Sequence, residues 1–418
     1  MKRSIRKMLC RIGAAAATVV LLGSGMFVHT AVLPDVSLTV YAETSEANVF
    51  GDFEYRLLDD GTIALSGYKG EGGEVKLPSE IDGKSVTIIG ENCFWECNSM
   101  TSVTIPNSIV SIEKSAFCDC DNLDNVVIPD SVKKIGSEAF KYCKGLTTIK
   151  VGNGVTEIGD NAFSGCRQLL SITIPDNVTN IGAQTFYGCE SMTSVVLPNS
   201  ITVLDGSVLS ECKSLTSISI PDSVTTIKSH AFEKCESLTS VVIPDSVTFI
   251  DSYAFSDCTG LTSVVIGNNV ISVWDYAFDG CTNLTDVTLG SGLENFGAHP
   301  FNKIEKLKTV TYYGTPESFS KISMGDDVKA LIQPVLQYKD PVEVSKVSEA
   351  PNSESPATSE AASAVSAAPT SNTASTVSHG NQFSKMFNSK MVILTSSETN
   401  NHSNNVDFVT KIIHLRSE

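Results

Sequence analysis

The sequence predicts a mainly β protein, a right-handed solenoid of stacked 23-residue coils with a parallel sheet along one side, a β-hairpin cap at its N-terminal end and a mixed cap at its C-terminal end. Three observations lead to this fold class. Cysteine, phenylalanine and leucine or methionine each recur every 23 residues in one common frame. Positions 100–306 contain nine such units without an insertion. Each unit carries one alternating apolar segment that ends at proline or glycine.

One unit, residues 238–258, shows how a coil is expected to form. Val241 and Ile243 alternate with outward residues, which predicts a short strand with one face inward. Pro244 ends this strand, because proline cannot donate to a ladder. A second inward segment follows, and a third side that contains Phe255 completes the coil. No unit buries its apolar side chains alone, so each must stack on its neighbours.

The cysteine column defines the period. Its members are Cys97, Cys120, Cys143, Cys166, Cys189, Cys212, Cys235, Cys258 and Cys281. Because nine is an odd number and each member has two equivalent neighbours, we interpret the column as a structural ladder of buried thiols. Adjacent coils lie within disulfide range, so occasional bridges in the column remain an alternative. Cys93 and Cys118 lie off the column and are the best candidates for an irregular bridge.

The two ends of the rod must differ from its middle, because an open stack exposes apolar side chains. Residues 43–99 are expected to form an N-terminal cap and a first irregular coil, with a β-hairpin around Asp60-Gly61. Residues 307–340 are expected to form a C-terminal cap that contains short helical pieces. The regular repeats between them occupy 100–306.

The chain termini are predicted to lie outside the rod. Residues 1–42 combine a basic start with an apolar stretch at 13–28 and small residues before Glu43, as in a secretory signal peptide. A retained membrane anchor is the alternative, for which the apolar stretch is short. Residues 341–380, rich in Ser, Ala, Pro and Thr, predict a disordered linker. Residues 381–418 form a short tail with no predicted structure.

The charge of the chain limits its partners. The formal net charge of −17 becomes −21 when residues 1–42, which contain five Lys or Arg and one Asp, are removed. Such an acidic chain is repelled by nucleic acids and by anionic membrane surfaces. We therefore expect a monomer without a nucleic-acid partner and without membrane insertion after signal cleavage.

The sequence shows no catalytic motif. His230 and His299, the histidines of the repeat region, belong to no nucleophile–base pair that the sequence reveals. The column cysteines repeat too regularly to be nucleophiles. The sequence has no phosphate-binding loop, HExxH motif or EF-hand loop, and its cysteine spacings lack a second pair of metal ligands. We expect a protein that is not an enzyme and that has no cofactor and no metal site.

The repeat unit, L-T-S-V-V-I-P-D-S-V-T-x-I-x-x-x-A-F-x-x-C, resembles the BspA-type leucine-rich repeats of bacterial surface and secreted proteins. Residues 52–67 resemble the N-terminal cap region of that family, and residues 312–326 resemble its terminal cap. The resemblance covers about residues 50–340. It implies a leucine-rich-repeat solenoid, a role in adhesion or in recognition of host or matrix molecules, and no shared catalytic residues, although a fold does not fix a function.

Two surfaces are candidates for binding. The strand face is the outward column of the strand residues, and its Ser, Thr and Val side chains suit an extended partner, although such residues also simply favour sheets. The candidate binding residues of the strand face are Lys150, Thr173, Val196, Ser219, Val242 and Val265.

The second candidate, the aromatic strip, consists of His230, Tyr253, Trp274 and Tyr276. Clustered exposed aromatic residues suit recognition of sugars or proteins. Ordinary surface variability, or packing of Trp274 on the next coil, is the alternative.

Taken together, these patterns predict a secreted or cell-surface protein that adheres to or recognises an extracellular protein or glycan. Two other hypotheses are compatible with the sequence. One is a structural spacer that presents the linker and tail. The other is a non-catalytic component of an extracellular polysaccharide-degrading system.

Overall fold

The structure of the protein is a computed structural model that describes residues 29–33, 36–40, 48–339, 392–395 and 410–413. Most of the predicted signal peptide, the whole predicted linker and most of the predicted tail lie outside these described residues. The chain divides into two compact units, residues 1–352 and 353–418. In the first unit, β1 (His29–Leu33) pairs antiparallel with β2 (Val36–Val40). Two antiparallel strands are described in the second unit, β28 (Val392–Thr395) and β29 (Thr410–Ile413).

A first row of strands contains the alternating segment of nearly every coil. Neighbouring strands of the row pair in parallel, and in the regular coils the paired residues are 23 positions apart. The parallel pairing confirms that the sequence period sets the stacking of the coils. The row forms a six-stranded sheet from β6 (Gly73–Lys76), β9 (Met100–Thr104), β11 (Asn125–Val127), β13 (Thr148–Lys150), β15 (Ser171–Thr173) and β17 (Ser194–Val196), and a five-stranded sheet from β20 (Ser240–Ile243), β22 (Ser263–Ile266), β24 (Asp286–Leu289), β26 (Thr309–Tyr312) and β27 (Leu336–Tyr338).

A second row of parallel strands lies on the next side of each coil. Its strands in the regular coils have only two residues, of which the second is buried in each case. The second inward segment predicted from the sequence is therefore also a strand. The row contains β8 (Lys84–Ile89), β10 (Ser111–Ile112), β12 (Lys134–Ile135), β14 (Glu157–Ile158), β16 (Asn180–Ile181), β18 (Val203–Leu204), β19 (Thr226–Ile227), β21 (Phe249–Ile250), β23 (Ser272–Val273) and β25 (Asn295–Phe296).

The N-terminal end of the second row is antiparallel. A meander of β3 (Asn48–Phe50), β4 (Phe53–Leu57) and β5 (Ile63–Tyr68) joins the row because β5 pairs in parallel with β8. The turn between β4 and β5 contains Gly61 at a positive φ of 82°. A further short strand, β7 (Glu80–Ile81), pairs antiparallel with β8.

Both rows are interrupted in the middle of the solenoid. The segment 217–220 alternates Ser and Ile as the other strands do, yet it forms no strand, so the pattern wrongly predicts one there. The hydrogen bond from Thr216 N to Thr193 O is 3.5 Å long, whereas the equivalent bond from Thr193 N to Leu170 O is 2.9 Å. Ile218 is only partly buried, unlike its equivalents in the neighbouring coils. The ladder is therefore locally loosened.

The third side of each coil supplies the phenylalanine column of the core. Neighbouring rings lie 4.9–5.8 Å apart with interplanar angles of at most 12°. This separation is close to the ~4.8 Å spacing of paired strands, so each ring sits directly on the ring of the previous coil. The stacked rings are Phe94, Phe117, Phe140, Phe163 and Phe186 before Leu209, and Phe232, Phe255, Phe278 and Phe301 after it.

Leu209 is the one member of the phenylalanine column that is not aromatic. The residue before it is Val208, where six of the other regular coils have alanine. Both side chains are buried. The additional volume of valine therefore fills part of the space that the smaller leucine leaves, as close packing of a core requires.

The cysteine column is buried from Cys120 to Cys281 and consists there of free thiols. Each Sγ donates to the main-chain carbonyl of the residue 26 positions earlier, in the phenylalanine column of the previous coil, at 3.1–3.4 Å. The thiols thus satisfy their hydrogen-bonding capacity between coils. Burial raises the pKa of the Cys212 thiol to about 12.

The cysteines at the N-terminal end differ from the rest. Cys97, the first of the column, is only partly buried, because it lies where the regular stack begins. Cys118 is a free thiol whose Sγ donates to Asp119 Oδ2 at 3.4 Å. The irregular bridge considered between Cys93 and Cys118 is therefore not formed in the structure.

The C-terminal end of the solenoid adds short helices between β26 and β27. The helix α1 (Pro316–Phe319) begins at Thr315, whose side chain accepts a hydrogen bond from Ser318 N. The helix α2 (Asp326–Ile332) follows. Among the described residues, no helix has both the length and the apolar character that crossing a membrane requires.

Candidate functional site

The strand face lies on the outside of the first strand row. Its most exposed large side chains are Val127 and Val196, which are 58% and 55% exposed, followed by Val242 at 41%. Lys150, Thr173 and Ser219 are also exposed, whereas Val265 is half-buried. Ser219 lies in the segment that forms no strand, so the strand face has a gap at that coil.

A cleft of about 430 Å³ opens on the strand face near its N-terminal end. Val127 and Ile128 supply its apolar wall. Lys150 and Asp130 place opposite charges at its edge, and Asn125 adds an amide. The cleft therefore offers donors, acceptors and apolar surface to one ligand segment, and it includes only Lys150 of the predicted binding residues.

The aromatic strip lies on the third side of the coils, where the backbone has an unusual conformation. The residue two positions before each phenylalanine has a φ between 51° and 61° in every coil. This is the left-handed region, which costs an L-residue about 1–2 kcal/mol. The ten residues concerned are Asn92, Ser115, Glu138, Asn161, Gln184, Ser207, His230, Tyr253, Tyr276 and His299. The 23-residue period places these residues in one column but does not show their backbone conformation, for which the absence of β-branched residues in the column is the available signal.

The last four members of this column form an aromatic ladder, His230, Tyr253, Tyr276 and His299. The His230 and Tyr253 rings stack at 4.9 Å with an angle of 1° between their planes. Tyr253 and Tyr276 stack at 5.1 Å and 10°, and His299 follows at 5.6 Å, tilted by 38°. The rings therefore cover each other's faces, and the ladder presents mainly ring edges, hydroxyls and imidazole nitrogens.

Carboxylates hold the two ends of the aromatic ladder. His230 Nδ1 lies 3.0 Å from Glu233 Oε2. At the other end, His299 Nδ1 lies 2.8 Å from Asp327 Oδ2 in α2. The hydrogen bond from His299 lowers the pKa of Asp327 against the opposing effect of partial burial. His299, which was not among the predicted binding residues, thus joins the ladder to the C-terminal helices.

Trp274 belongs to the predicted aromatic strip but not to the ladder. Its side chain is 47% exposed, and no ring among the described residues stacks on it. The next coil has Gly297 at the equivalent position, and a Cβ there would lie 2.8 Å from the Trp274 carbonyl carbon. Glycine thus allows the two backbones to approach, and no side chain at position 297 covers the indole.

Within the described residues, no group of three or more His, Cys, Asp or Glu side chains is arranged to hold a metal ion. His230 and His299 are the histidines of the repeats, and each is paired with a carboxylate rather than with a nucleophile. The two candidate binding surfaces therefore consist of one β-sheet face and one row of aromatic side chains with carboxylates at its ends.

Comparison with known proteins identifies the repeats. The model of the BspA type leucine-rich repeat region matches six copies over residues 87–216 and 202–325. A comparison with curated proteins finds no match. No enzyme family is indicated by the matches.

Several solved structures are similar to the chain. A leucine-rich cell surface protein from Faecalibacterium prausnitzii is 25% identical, with 68% of this chain and 100% of that chain covered and a TM-score of 0.41. A leucine-rich repeat protein from Bacteroides ovatus is 24% identical, covering 70% and 99%, with a TM-score of 0.40. The pneumococcal vaccine antigen PcpA is 16% identical, covering 70% and 97%, with a TM-score of 0.41. Because the family model spans more than half of the residues, with its repeats stacked in register, this chain is a member of the BspA-type leucine-rich repeat family.

Proposed function

We propose that the protein is a secreted or cell-surface binding protein that holds an extended segment of an extracellular protein along its strand face. The observation that carries the proposal is the exposure of Val127 and Val196 on a regular parallel sheet. Large aliphatic side chains repeated on one open face lose unfavourable hydration when a partner covers them.

The geometry of the strand face suits an extended polypeptide. Equivalent side chains of adjacent strands lie ~4.8 Å apart, so the face repeats at a short interval over several coils. The cleft beside Lys150 supplies both charge signs and an amide, which can orient one segment of the partner by hydrogen bonds. The exposed hydroxyls of neighbouring Thr and Ser residues add further donors and acceptors.

The extracellular location is part of the same proposal. It is supported by the signal-peptide pattern of residues 1–42 and by membership of the BspA-type leucine-rich repeat family. Expression in a bacterial host with mass spectrometry of the exported protein tests it. A mature N-terminus near Glu43 is expected, and a protein that stays in the cytoplasm with its N-terminus intact would contradict it.

The binding proposal is tested by a screen of the purified protein on arrays of extracellular proteins and of glycans. For a protein that binds, Val127→Asp, Val196→Asp and Lys150→Glu are expected to weaken the affinity at least tenfold. Val110→Asp is the matched control, since Val110 is 43% exposed but precedes the second strand row. The affinity of Val110→Asp for the partner should equal that of the unchanged protein. Binding that survives all three strand-face variants would contradict the proposal.

A further inference from the structure

The aromatic part of the solenoid coincides with an unusual charge distribution. Between Lys234 and Lys303 the sequence contains no lysine or arginine, but it contains eight aspartate and glutamate residues. The stretch of equal length before it, residues 167–234, contains four basic residues. The two coils that carry Tyr253, Trp274 and Tyr276, residues 238–283, therefore contain acidic residues but no lysine or arginine.

One column of side chains shows what a ligand would meet. The residue two positions before the residue of the left-handed column is Asp205, Lys228, Asp251 and Trp274 in four successive coils. Lys228 Nζ forms an ion pair with Asp205 Oδ1 at 3.1 Å. In the next pair of coils the position of the cation is taken by Trp274. In the coil that follows Asp205 the equivalent position is Lys228, whereas in the coil that follows Asp251 it is Trp274.

The carboxylates next to Trp274 in its column and in the chain are not neutralised by the protein. Among the described residues, Asp251 and Asp275 form no ion pair, whereas Asp279 is paired with Lys303 at 3.1 Å. Asp251 Oδ1 accepts a hydrogen bond from Ser252 N, which leaves its other oxygen available. A cation beside Trp274 would therefore meet an unpaired carboxylate as well as an indole.

We propose that this acidic aromatic face, defined by Trp274, Asp251 and the aromatic ladder, binds lysine or arginine side chains of a basic polypeptide segment. Indole is the side chain with the strongest attraction for a cation over its face, and a nearby carboxylate adds an ion pair. The stacking within the ladder covers the faces of the Tyr253 and Tyr276 rings, which a sugar would use, whereas no ring among the described residues stacks on the Trp274 indole. The acidic residues of these two coils, which contain no lysine or arginine, favour the basic partner.

This surface is separate from the strand face, because the two lie on different sides of each coil. The proposal therefore does not rest on the proposed function. The aromatic ladder extends the binding surface along the solenoid, since ring edges and hydroxyls repeat at about 5 Å beside the acidic side chains. A basic segment of several residues can then contact more than one coil.

The test uses the full chain and a peptide of nine arginines. The chain has two tryptophans, so Trp95→Phe leaves Trp274 as the sole tryptophan, whose emission is excited selectively at the red edge of the absorption band. We expect saturable quenching of its emission at physiological salt and no change with a peptide of nine glutamates. With a labelled peptide and anisotropy as the readout, Trp274→Ala should bind at least tenfold more weakly and Asp251→Asn about threefold to tenfold more weakly. Trp274→Phe should recover part of the loss.

The matched control is Asp59→Asn, which removes the same charge from an exposed position in the N-terminal turn. Its affinity should be unchanged. Equal weakening by Asp59→Asn and Asp251→Asn would show general electrostatic attraction and overturn the proposal. Unchanged affinity of Trp274→Ala, or quenching of Trp274 by a neutral hexasaccharide but not by the arginine peptide, would also overturn it. Circular dichroism checks that each variant keeps its fold. Because Trp274 is 47% exposed, its substitution is expected to leave the fold intact.

Discussion

Cys143 donates its thiol hydrogen to the main-chain carbonyl of Phe117 in the previous coil, with 3.1 Å between Sγ and O. In the next coil, Cys166 donates in the same way to Phe140 O, which also accepts a hydrogen bond from Cys143 N within its own coil. From Cys166 to Cys281, each cysteine therefore links two coils through a carbonyl that also closes a turn. The column is a set of weak donors at fixed places, in addition to being apolar filling.

This link predicts a measurable loss for Cys143→Ala. The substitution removes the inter-coil hydrogen bond and leaves a small cavity, so we expect the free energy of unfolding to fall by about 1–2 kcal/mol. Urea unfolding followed by circular dichroism measures it. Cys166→Ala should cost a similar amount, because its thiol makes the same bond to Phe140 O. Full stability of either variant would contradict a structural role for the donor.

The raised pKa of Cys212 predicts a loss of stability at alkaline pH. The thiol has an ordinary pKa of 9.0, which burial raises to about 12 in the folded protein. Above pH 9 the unfolded chain loses a proton that the folded protein retains, so unfolding becomes easier as the pH rises towards 12. Below pH 9 the thiol is protonated in both the folded and the unfolded chain, so its ionisation does not reduce the stability there.

The measurement compares the unchanged protein with Cys212→Ala at pH 8, 9, 10 and 11. The stability of the unchanged protein should fall more steeply, by about 1.4 kcal/mol for each pH unit between 9 and 11. Tyrosines and lysines titrate in both proteins and cancel in the difference. Parallel curves would show that the folded thiol ionises as readily as an exposed one.

Val208 and Leu209 predict a coupled pair. Leu209→Phe places the usual ring beside a valine that fills part of its space, so we expect a cost of about 1–3 kcal/mol from overpacking. Val208→Ala alone leaves a cavity and should cost about 2 kcal/mol. The double variant has the usual Ala-Phe pair and should cost at least about 1 kcal/mol less than the sum. Additive effects would show that the two side chains do not share one space.

Much of the fold is predictable from the sequence because a fixed spacing must place equivalent residues on top of one another. Val241 and Ile243 are predicted in a strand and lie in β20. The segment 217–220 has the same alternation but no strand, since strand formation in a stack depends on hydrogen bonds to both neighbouring coils. Those bonds lengthen there, which a single unit's sequence does not show.

The candidate surfaces are predictable in part. The period placed Tyr253 and Tyr276 in one column, but it did not show that their rings cover each other's faces, because that depends on side-chain rotation. The period also places His299 in this column and Trp274 in the neighbouring one, but the predicted binding residues included Trp274 and left out His299. The next coil has glycine at the position equivalent to Trp274, Gly297, and the predicted aromatic strip took no account of it.

The left-handed column predicts an order of stability at Gln184, whose φ is 58°. Gln184→Gly should be neutral or stabilise the fold by up to about 1 kcal/mol, because glycine adopts this conformation freely but loses more freedom on folding. Gln184→Val should destabilise it by at least about 1 kcal/mol, since a β-branched residue is least tolerated there. Gln168, which is exposed and outside the positive-φ set, is the matched control. In thermal unfolding, Gln168→Gly should be less stable than Gln168→Val, the reverse of the order at Gln184. The same order at both sites would contradict the backbone explanation.

Ser246 predicts a stabilising substitution. Its buried Oγ has no hydrogen-bond partner among the described residues. In the next coil Asn269 occupies the same column and donates its Nδ2 to Asp245 O at 2.8 Å, and Asn177 does the same to Asn153 O. Ser246→Asn should therefore donate to the carbonyl 24 positions earlier and raise the free energy of unfolding by about 1 kcal/mol.

Alanine variants separate the new bond from mere removal of the hydroxyl. Ser246→Ala removes an unsatisfied group, so it should be neutral or slightly stabilising. Its free energy of unfolding should be lower than that of Ser246→Asn, which gains a hydrogen bond. Ser200 is in the same column, but its hydroxyl donates to Val178 O, so Ser200→Ala should cost about 1 kcal/mol. Thermal and urea unfolding of the three variants give the comparison. If Ser246→Asn is no more stable than Ser246→Ala, the asparagine does not reach the carbonyl, and the column does not act as a row of inter-coil donors at that coil.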